Sequence, residues 1–209
     1  MKIVVRNSGI YWKGVTYWDE IIEFNCPGNG TKRDPFIITP ETHPPRFFKI
    51  LGSDKHVIIK NTWVRDLTLD SSENVSIINC FIERISIINS ANCILENCNL
   101  KYGIFLLKSK NNIIRNCELG WLVLKKADEN KIIKNKVQEL SLKKSSFNEL
   151  DSNIIQYSTI QGVNDYLIIE NGNFPKIYLK KSNKIIFNKI NMENIKILKS
   201  SDISMIFFR

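Results

Sequence analysis

An asparagine returns once per 17–19 residues through most of this chain, at Asn61, Asn79, Asn97, Asn116, Asn135, Asn153, Asn171 and Asn188. A second stands five residues upstream in most copies, at Asn74, Asn92, Asn111, Asn130, Asn148 and Asn183. A period near 18 held over eight copies specifies a solenoid, because so short a unit buries its apolar side only by stacking on its neighbours.

Each copy has one form. An apolar pair precedes the marker asparagine, as in Ile58-Ile59, Ile77-Ile78 and Ile113-Ile114. One apolar residue follows it, such as Val64, Ile82 or Leu100, and an alternating pair such as Leu67/Leu69 or Leu122/Leu124 closes the copy. Three strokes, each too short for a helix and rich in β-branched residues, predict three short strands per coil. Equivalent strands then stack in parallel at about 4.8 Å per coil. The fold class is all-β, a single-stranded parallel β-helix of about eight coils. Asparagine tolerates the left-handed backbone of a sharp corner, and its amide can bond the asparagine one coil away, so the eight markers are expected to form an internal ladder.

Residues 1–52 lack the repeat and form an expected N-terminal cap, with 53–209 as one continuous β-helix domain. Met1–Arg6 reads as a strand. Thr16-Tyr17-Trp18-Asp19 resembles a capping box opening a short helix, Trp18–Phe24. Pro27-Gly28-Asn29-Gly30 stops it, and Phe36–Ile38 reads as a strand.

The marked coils, with the lead-in Gly28-Asn29-Gly30-Thr31 and Asp34-Pro35-Phe36-Ile37-Ile38, resemble the pectate-lyase-like right-handed parallel β-helix superfamily. The likeness covers roughly residues 28–209 and is greatest to carbohydrate-binding and sugar-hydrolase type repeats. It implies a right-handed coil. Left-handed hexapeptide β-helices share the step near 18 but keep a stricter six-residue rhythm. Enzymes of the superfamily act on polysaccharides with a carboxylate cluster, or with calcium-binding aspartates and an arginine base. Cleaving a glycosidic bond takes two carboxylates a few ångströms apart. The outward positions of each closing strand read Thr68/Asp70, Ser86/Ile88, Phe105/Leu107, Val123/Lys125, Ser141/Lys143, Thr159/Gln161, Tyr178/Lys180 and Lys196/Leu198, with Asp70 the one acid. Neither catalytic pattern carries over, and the nearest pairing is Glu83 with Asp66 or Asp70. A non-catalytic structural or binding protein is therefore expected, with a polysaccharide lyase or glycoside hydrolase as the alternative.

The formal charge of +9 favours acidic partners: acidic polysaccharide, nucleic acid or anionic lipid heads. Lys108, Lys125, Lys143, Lys180 and Lys199 fall near the close of successive coils, with Tyr178 among them. Stacked, they make a basic ridge for a polyanion or carbohydrate, and nucleic-acid binding along it is a second alternative. The competing reading is that corner lysines keep the solenoid soluble and discourage edge pairing. Ile88, Phe105, Leu107 and Val123 lie outward on adjacent coils and form a candidate interface, for a second copy or a protein partner, unless residues 1–25 cover it. The terminal Met205-Ile206-Phe207-Phe208-Arg209 also suggests self-association.

Cys80, Cys98 and Cys117 each follow a marker asparagine and should share one column, as packed thiols rather than metal ligands. No metal or cofactor is expected. Asp151 and Ser158 break the apolar pattern, and with Gln161 mark one irregular coil. No segment is apolar and long enough to span a membrane, and the N-terminus does not read as a signal peptide. With an odd five cysteines, cytoplasm is the expected location, a virion the alternative.

Overall fold

The computed structural model describes residues 3–8, 19–24, 27–42 and 47–206. It is a parallel β-solenoid of nine coils, each contributing one strand to an 11-stranded sheet and one to a 10-stranded sheet. The strands β3 (Phe36–Ile38) and β4 (Phe47–Leu51) form the first coil and already pair in parallel with the next. The last coil holds Ile185–Asn188 and Asn194–Leu198, and a final strand, Ile203–Ile206, follows.

Two strands per coil replace the expected three. In the second to seventh coils the second and third apolar strokes merge into one long strand, such as Phe81–Ile88, which bends at Glu83, where the pairing skips a residue. In the last two coils they stay apart, with Asn173 and Asn191 as isolated bridges. Merging costs no burial. Val64/Leu67/Leu69, Ile82/Ile85/Ile87 and Leu119/Leu122/Leu124 all point inward, as do Ile59, Ile77, Leu95, Ile114, Ile132, Leu150, Ile169 and Phe187 from the short strands. Each position touches its equivalents in the coils above and below, so the core is a set of apolar columns.

The corners turn through left-handed backbone in three columns. One follows the short strand: Asn61, Asn79, Asn97, Asn116, Lys134, Ser152, Asn171 and Lys189. One precedes it: Asn74, Asn92, Asn111, Glu129, Phe147, Lys184 and Asp202. The third follows the long strand: Gly52, Ser71, Asn89, Lys108, Lys126, Lys144, Gly162, Lys181 and Lys199. Non-glycine residues resist this conformation, and asparagine resists it least.

This geometry corrects the expected ladder. Asn61, Asn79, Asn97, Asn116 and Asn171 are exposed αL residues and not rungs, while Asn188 ends a short strand and donates to Glu170 at 3.3 Å. Only Asn135 and Asn153 point inward. They occupy the next column, level with Thr62, Cys80, Cys98 and Cys117, and Asn135 Nδ2 donates to Asn153 Oδ1 at 3.1 Å. A second buried run, Asn112–Asn130–Asn148, lies before the short strands with amide bonds of 2.9 and 3.1 Å. From the second coil onward the coil step is thus 18 residues, with two steps of 19. One holds the bulge between Leu100 and Gly103, and the other an extra residue in 162–166. Gly103 is required at the bulge: its φ is 151°, and a Cβ there would meet the Trp121 carbonyl oxygen at 1.8 Å.

A serine column at the third corner completes the inner lining. Ser90 Oγ accepts from the Ser72 N–H at 3.0 Å and Ser109 Oγ from the Ser90 N–H at 3.2 Å, and Ser145, Ser182 and Ser200 repeat the pattern.

The cap also departs from expectation. Asp19–Phe24 is a strand, β2, antiparallel to β1 (Ile3–Ser8), and β1 pairs antiparallel with β4. Trp18 and the Thr16-Tyr17 part of the predicted capping box lie outside the described residues, as do Met1 and Lys2. The β-rich sequence Asp-Glu-Ile-Ile-Glu-Phe meets an open sheet edge, and pairing there outweighs a marginal helix. The two described strands, Ile3–Ser8 and Asp19–Phe24, extend the 11-stranded sheet beyond Phe47–Leu51.

Removing an inner rung should cost far more than changing an outer corner. Asn130→Ala leaves buried carbonyls and amides without partners and should lower unfolding free energy by roughly 2–4 kcal/mol. Asn79→Gly should change it by under about 1 kcal/mol. Urea denaturation of the two variants checks the contrast.

Candidate binding face

The long strands carry two outward columns that end beside the third left-handed corner. Strand pairing sets the first as Ser86, Phe105, Val123, Ser141, Thr159, Tyr178 and Lys196, and the second as Ile88, Leu107, Lys125, Lys143, Gln161, Lys180 and Leu198. The corner column runs Asn89, Lys108, Lys126, Lys144, Gly162, Lys181 and Lys199, each residue's N–H donating to the strand-end carbonyl one coil on where a further coil follows. These three columns from the third coil onward contain nine lysines and no carboxylate.

All five lysines expected on the ridge lie here. Lys125, Lys143 and Lys180 share the strand-end column, and Lys108 and Lys199 occupy the corner beside it. Lys126, Lys144 and Lys181 join them in the corner, and Lys196 stands one column inward. None of the nine has a carboxylate partner among the described residues, whereas ion pairs elsewhere tie neighbouring coils together: Asp66–Arg84 at 2.7 Å, Glu96–Arg115 at 2.8 Å and Lys131–Glu149 at 3.1 Å. Tyr178 is half-buried, with Lys196 Nζ 6.0 Å from its ring centroid. Between Lys108 and Lys199 the one coil without a corner lysine is the seventh, where Gly162 stands.

Ile88, Phe105, Leu107 and Val123 adjoin the lysines. Ile88 pairs with Leu107 and Phe105 with Val123, so the four form one half-buried apolar quadrilateral, with Trp121 beside Val123 on the same face.

The carboxylates considered for catalysis are engaged structurally. Asp66 holds Arg84, Glu83 lies 3.6 Å from Arg65 and 3.8 Å from Lys101, and Asp70 accepts from Ser71 Oγ and Asn89 Nδ2. Asp151 faces outward and accepts from Asn171 Nδ2 at 2.9 Å. Ser158 points inward, where its hydroxyl donates to the Lys176 carbonyl at 3.1 Å. Asp151, Ser158 and Gln161 therefore do not converge: one is on the short strand, one in the core and one in the lysine column.

A groove of about 310 Å³ follows the bend of the long strands and is lined in part by Asn99, Lys101, Glu118, Lys136, Gln138 and Gln156. A second, of about 430 Å³, lies at the neighbouring corner and includes Asn97, Asn116, Lys134 and Lys136. Sequence reasoning missed the first groove, because the bend that shapes it is invisible in the apolar pattern.

Cys80, Cys98 and Cys117 stack in one buried column as free thiols. Hydrogen bonding to the Cys98 sulfur, with burial, pushes the Cys80 thiol pKa far up. Cys98 is raised to about 12, chiefly by its bond to Cys117. Cys117, at the receiving end, is lowered by that bond against the opposing effect of burial. Cys93, in another column, is raised to about 11 by burial. Among the described residues no three metal-ligating side chains converge.

At pH 8, below the raised values, Cys80, Cys93 and Cys98 are thiols and buried. Iodoacetamide should leave them unmodified in the native protein and modify them in denaturant, as read by peptide mass spectrometry. Raised thiol pKa values also mean that stability from these groups is full below the unfolded value near 8.5 and is lost as pH rises toward about 11–12.

The chain matches no family model, no curated protein and no solved structure, so the parallel β-solenoid architecture is the level at which it is identified.

Proposed function

We propose that this protein is a non-catalytic β-solenoid scaffold that engages an extended acidic partner through its lysine face. The observation that carries this reading is the set of nine lysines in three adjacent columns with no carboxylate among them. From Lys108 to Lys199 the ridge spans five coil steps, roughly 24 Å at the parallel-strand spacing. Two unit charges one step apart repel by about 0.9 kcal/mol in bulk water. Each pair is tolerable, but the repulsion accumulates along a rigid stack, and an acidic partner relieves it. Solubility alone accounts less well for the pattern, since Lys101, Lys131 and Lys184 elsewhere on the coils pair with acids and none of the nine does among the described residues. The lineage proposed for the chain is the pectate-lyase-like superfamily, on its asparagine-marked coils and glycine-rich lead-in.

The test is retention on heparin with a salt gradient, beside a neutral resin. Wild type should be held and released by salt, and Lys125→Glu/Lys143→Glu should weaken affinity on the order of tenfold or more. Retention no better than on the neutral resin would overturn the reading. So would a reproducible cleavage product from a panel of polysaccharides, which would make the chain an enzyme.

Self-association is the second part of the proposal. Ile197, Leu198 and Ile206, on the last strands of the two sheets, are 40%, 40% and 54% exposed. An apolar sheet end of this kind templates further pairing. Phe207–Arg209 lie outside the described residues. Light scattering should give a mass above the 24.3 kDa of one chain, and Ile206→Lys should shift it toward the monomer. A wild-type monomer at all concentrations would remove this part.

A further inference from the structure

Resting on that reading, we infer that the acidic partner is the surface of an anionic lipid bilayer, against which the chain lies with its long-strand face. Two features of the face point to a plane rather than a thread. Neither of the two grooves described above is lined by any of the nine lysines: they run along the strand bend and the neighbouring corner, past Asn99, Glu118 and Lys136. The lysines instead stand on the outward side of an in-register parallel sheet and on its flanking corner, a surface extending about 30 Å over seven coils. An array of that shape meets a planar array of headgroups with all its charges at once.

The second feature is apolar. Ile88 and Leu107 occupy the same column as Lys125 and Lys143, and Phe105 and Val123 the column beside it, with no carboxylate between. Trp121 adds an indole next to Val123. The aliphatic members Ile88, Leu107 and Val123 offer a soluble polyanion neither an ionic nor a stacking partner. A bilayer interface takes aromatic and aliphatic side chains at headgroup depth while lysines hold the anionic headgroups. Either signal alone is marginal. Together they supply the pair that stable peripheral attachment needs, a short apolar anchor and a polybasic surface. Each lysine close to an anionic leaflet multiplies affinity about fivefold, which makes the charge the larger contributor and the apolar cluster the one that selects membrane over polymer.

The experiment compares co-sedimentation with phosphatidylcholine vesicles and with vesicles of equal parts phosphatidylcholine and phosphatidylserine, alongside heparin retention. Wild type should sediment with the anionic vesicles and not with the neutral ones. Lys125→Glu/Lys143→Glu should lose vesicle affinity on the order of a hundredfold and lose heparin retention as well. Phe105→Thr/Val123→Thr keeps β-compatible residues on the outer face. It should lose about tenfold in vesicle affinity while keeping its heparin retention and its urea midpoint.

Wild type held by heparin but sedimenting no better with anionic than with neutral vesicles would overturn the bilayer and leave the polyanion reading intact. The bilayer is overturned in the same way if Phe105→Thr/Val123→Thr binds vesicles as wild type does, or if single-stranded DNA binds while vesicles do not. Failure on heparin and on vesicles alike would remove both readings.

Discussion

Everything in this molecule depends on the parallel hydrogen bonding of one coil to the next. A coil has no partner within itself for its backbone N–H and C=O groups, so each must present them in register to its neighbours. Register in turn fixes where the chain can bend. In most coils three corners turn left-handed, and the same corners recur at the same places in successive coils. The repeat length, the asparagines and the apolar columns all follow from keeping those corners aligned.

The corners divide polar residues between two jobs. Residues in the αL columns face water and are chosen for backbone tolerance, as Asn61, Asn79 and Asn97 are. The residue just inside the corner is chosen for what it can bond across the stack: Asn135 to Asn153, Asn112 to Asn130, Ser72 to Ser90. Buried amides and hydroxyls are costly unless paired, and here each rung pairs with the next or with a strand-end carbonyl. Cysteine takes the same inner position at Cys80, Cys98 and Cys117, where a small weakly polar side chain fits without a full set of partners. One face is left without a structural job for its charge. Ion pairs tie coils together at Asp66–Arg84 and Glu96–Arg115, and among the described residues nothing of the kind exists along the lysine columns.

How much was legible depended on how directly a feature maps onto the period. The outward pairs from Thr68/Asp70 to Lys196/Leu198 could be read because strand alternation has a period of two, and strand pairing puts them in two continuous columns. The Asn ladder was misplaced by one residue in part of the chain. Asn116 and Asn135 look equivalent, but one is a corner and the other lies just inside it, and the sequence carries no sign of which way an amide points. Counting the serines from Ser72 to Ser200 at the same step would have found the third corner. The Trp18–Phe24 helix failed for a different reason: so short a segment has no strong preference of its own, and an unpaired sheet edge supplied one.

By itself, the sequence determined that the chain is a stack, since a period of 18 with short β-branched strokes has no other stable solution. It also determined which residues share columns, and therefore that lysines accumulate along one edge while acids do not. Tertiary structure decided which of two adjacent asparagines enters the core, that two of the three strokes become one bent strand, and that the ridge stands clear of both grooves. Those outcomes rest on backbone handedness and on contacts between coils, and neither exists until one coil is laid on the next.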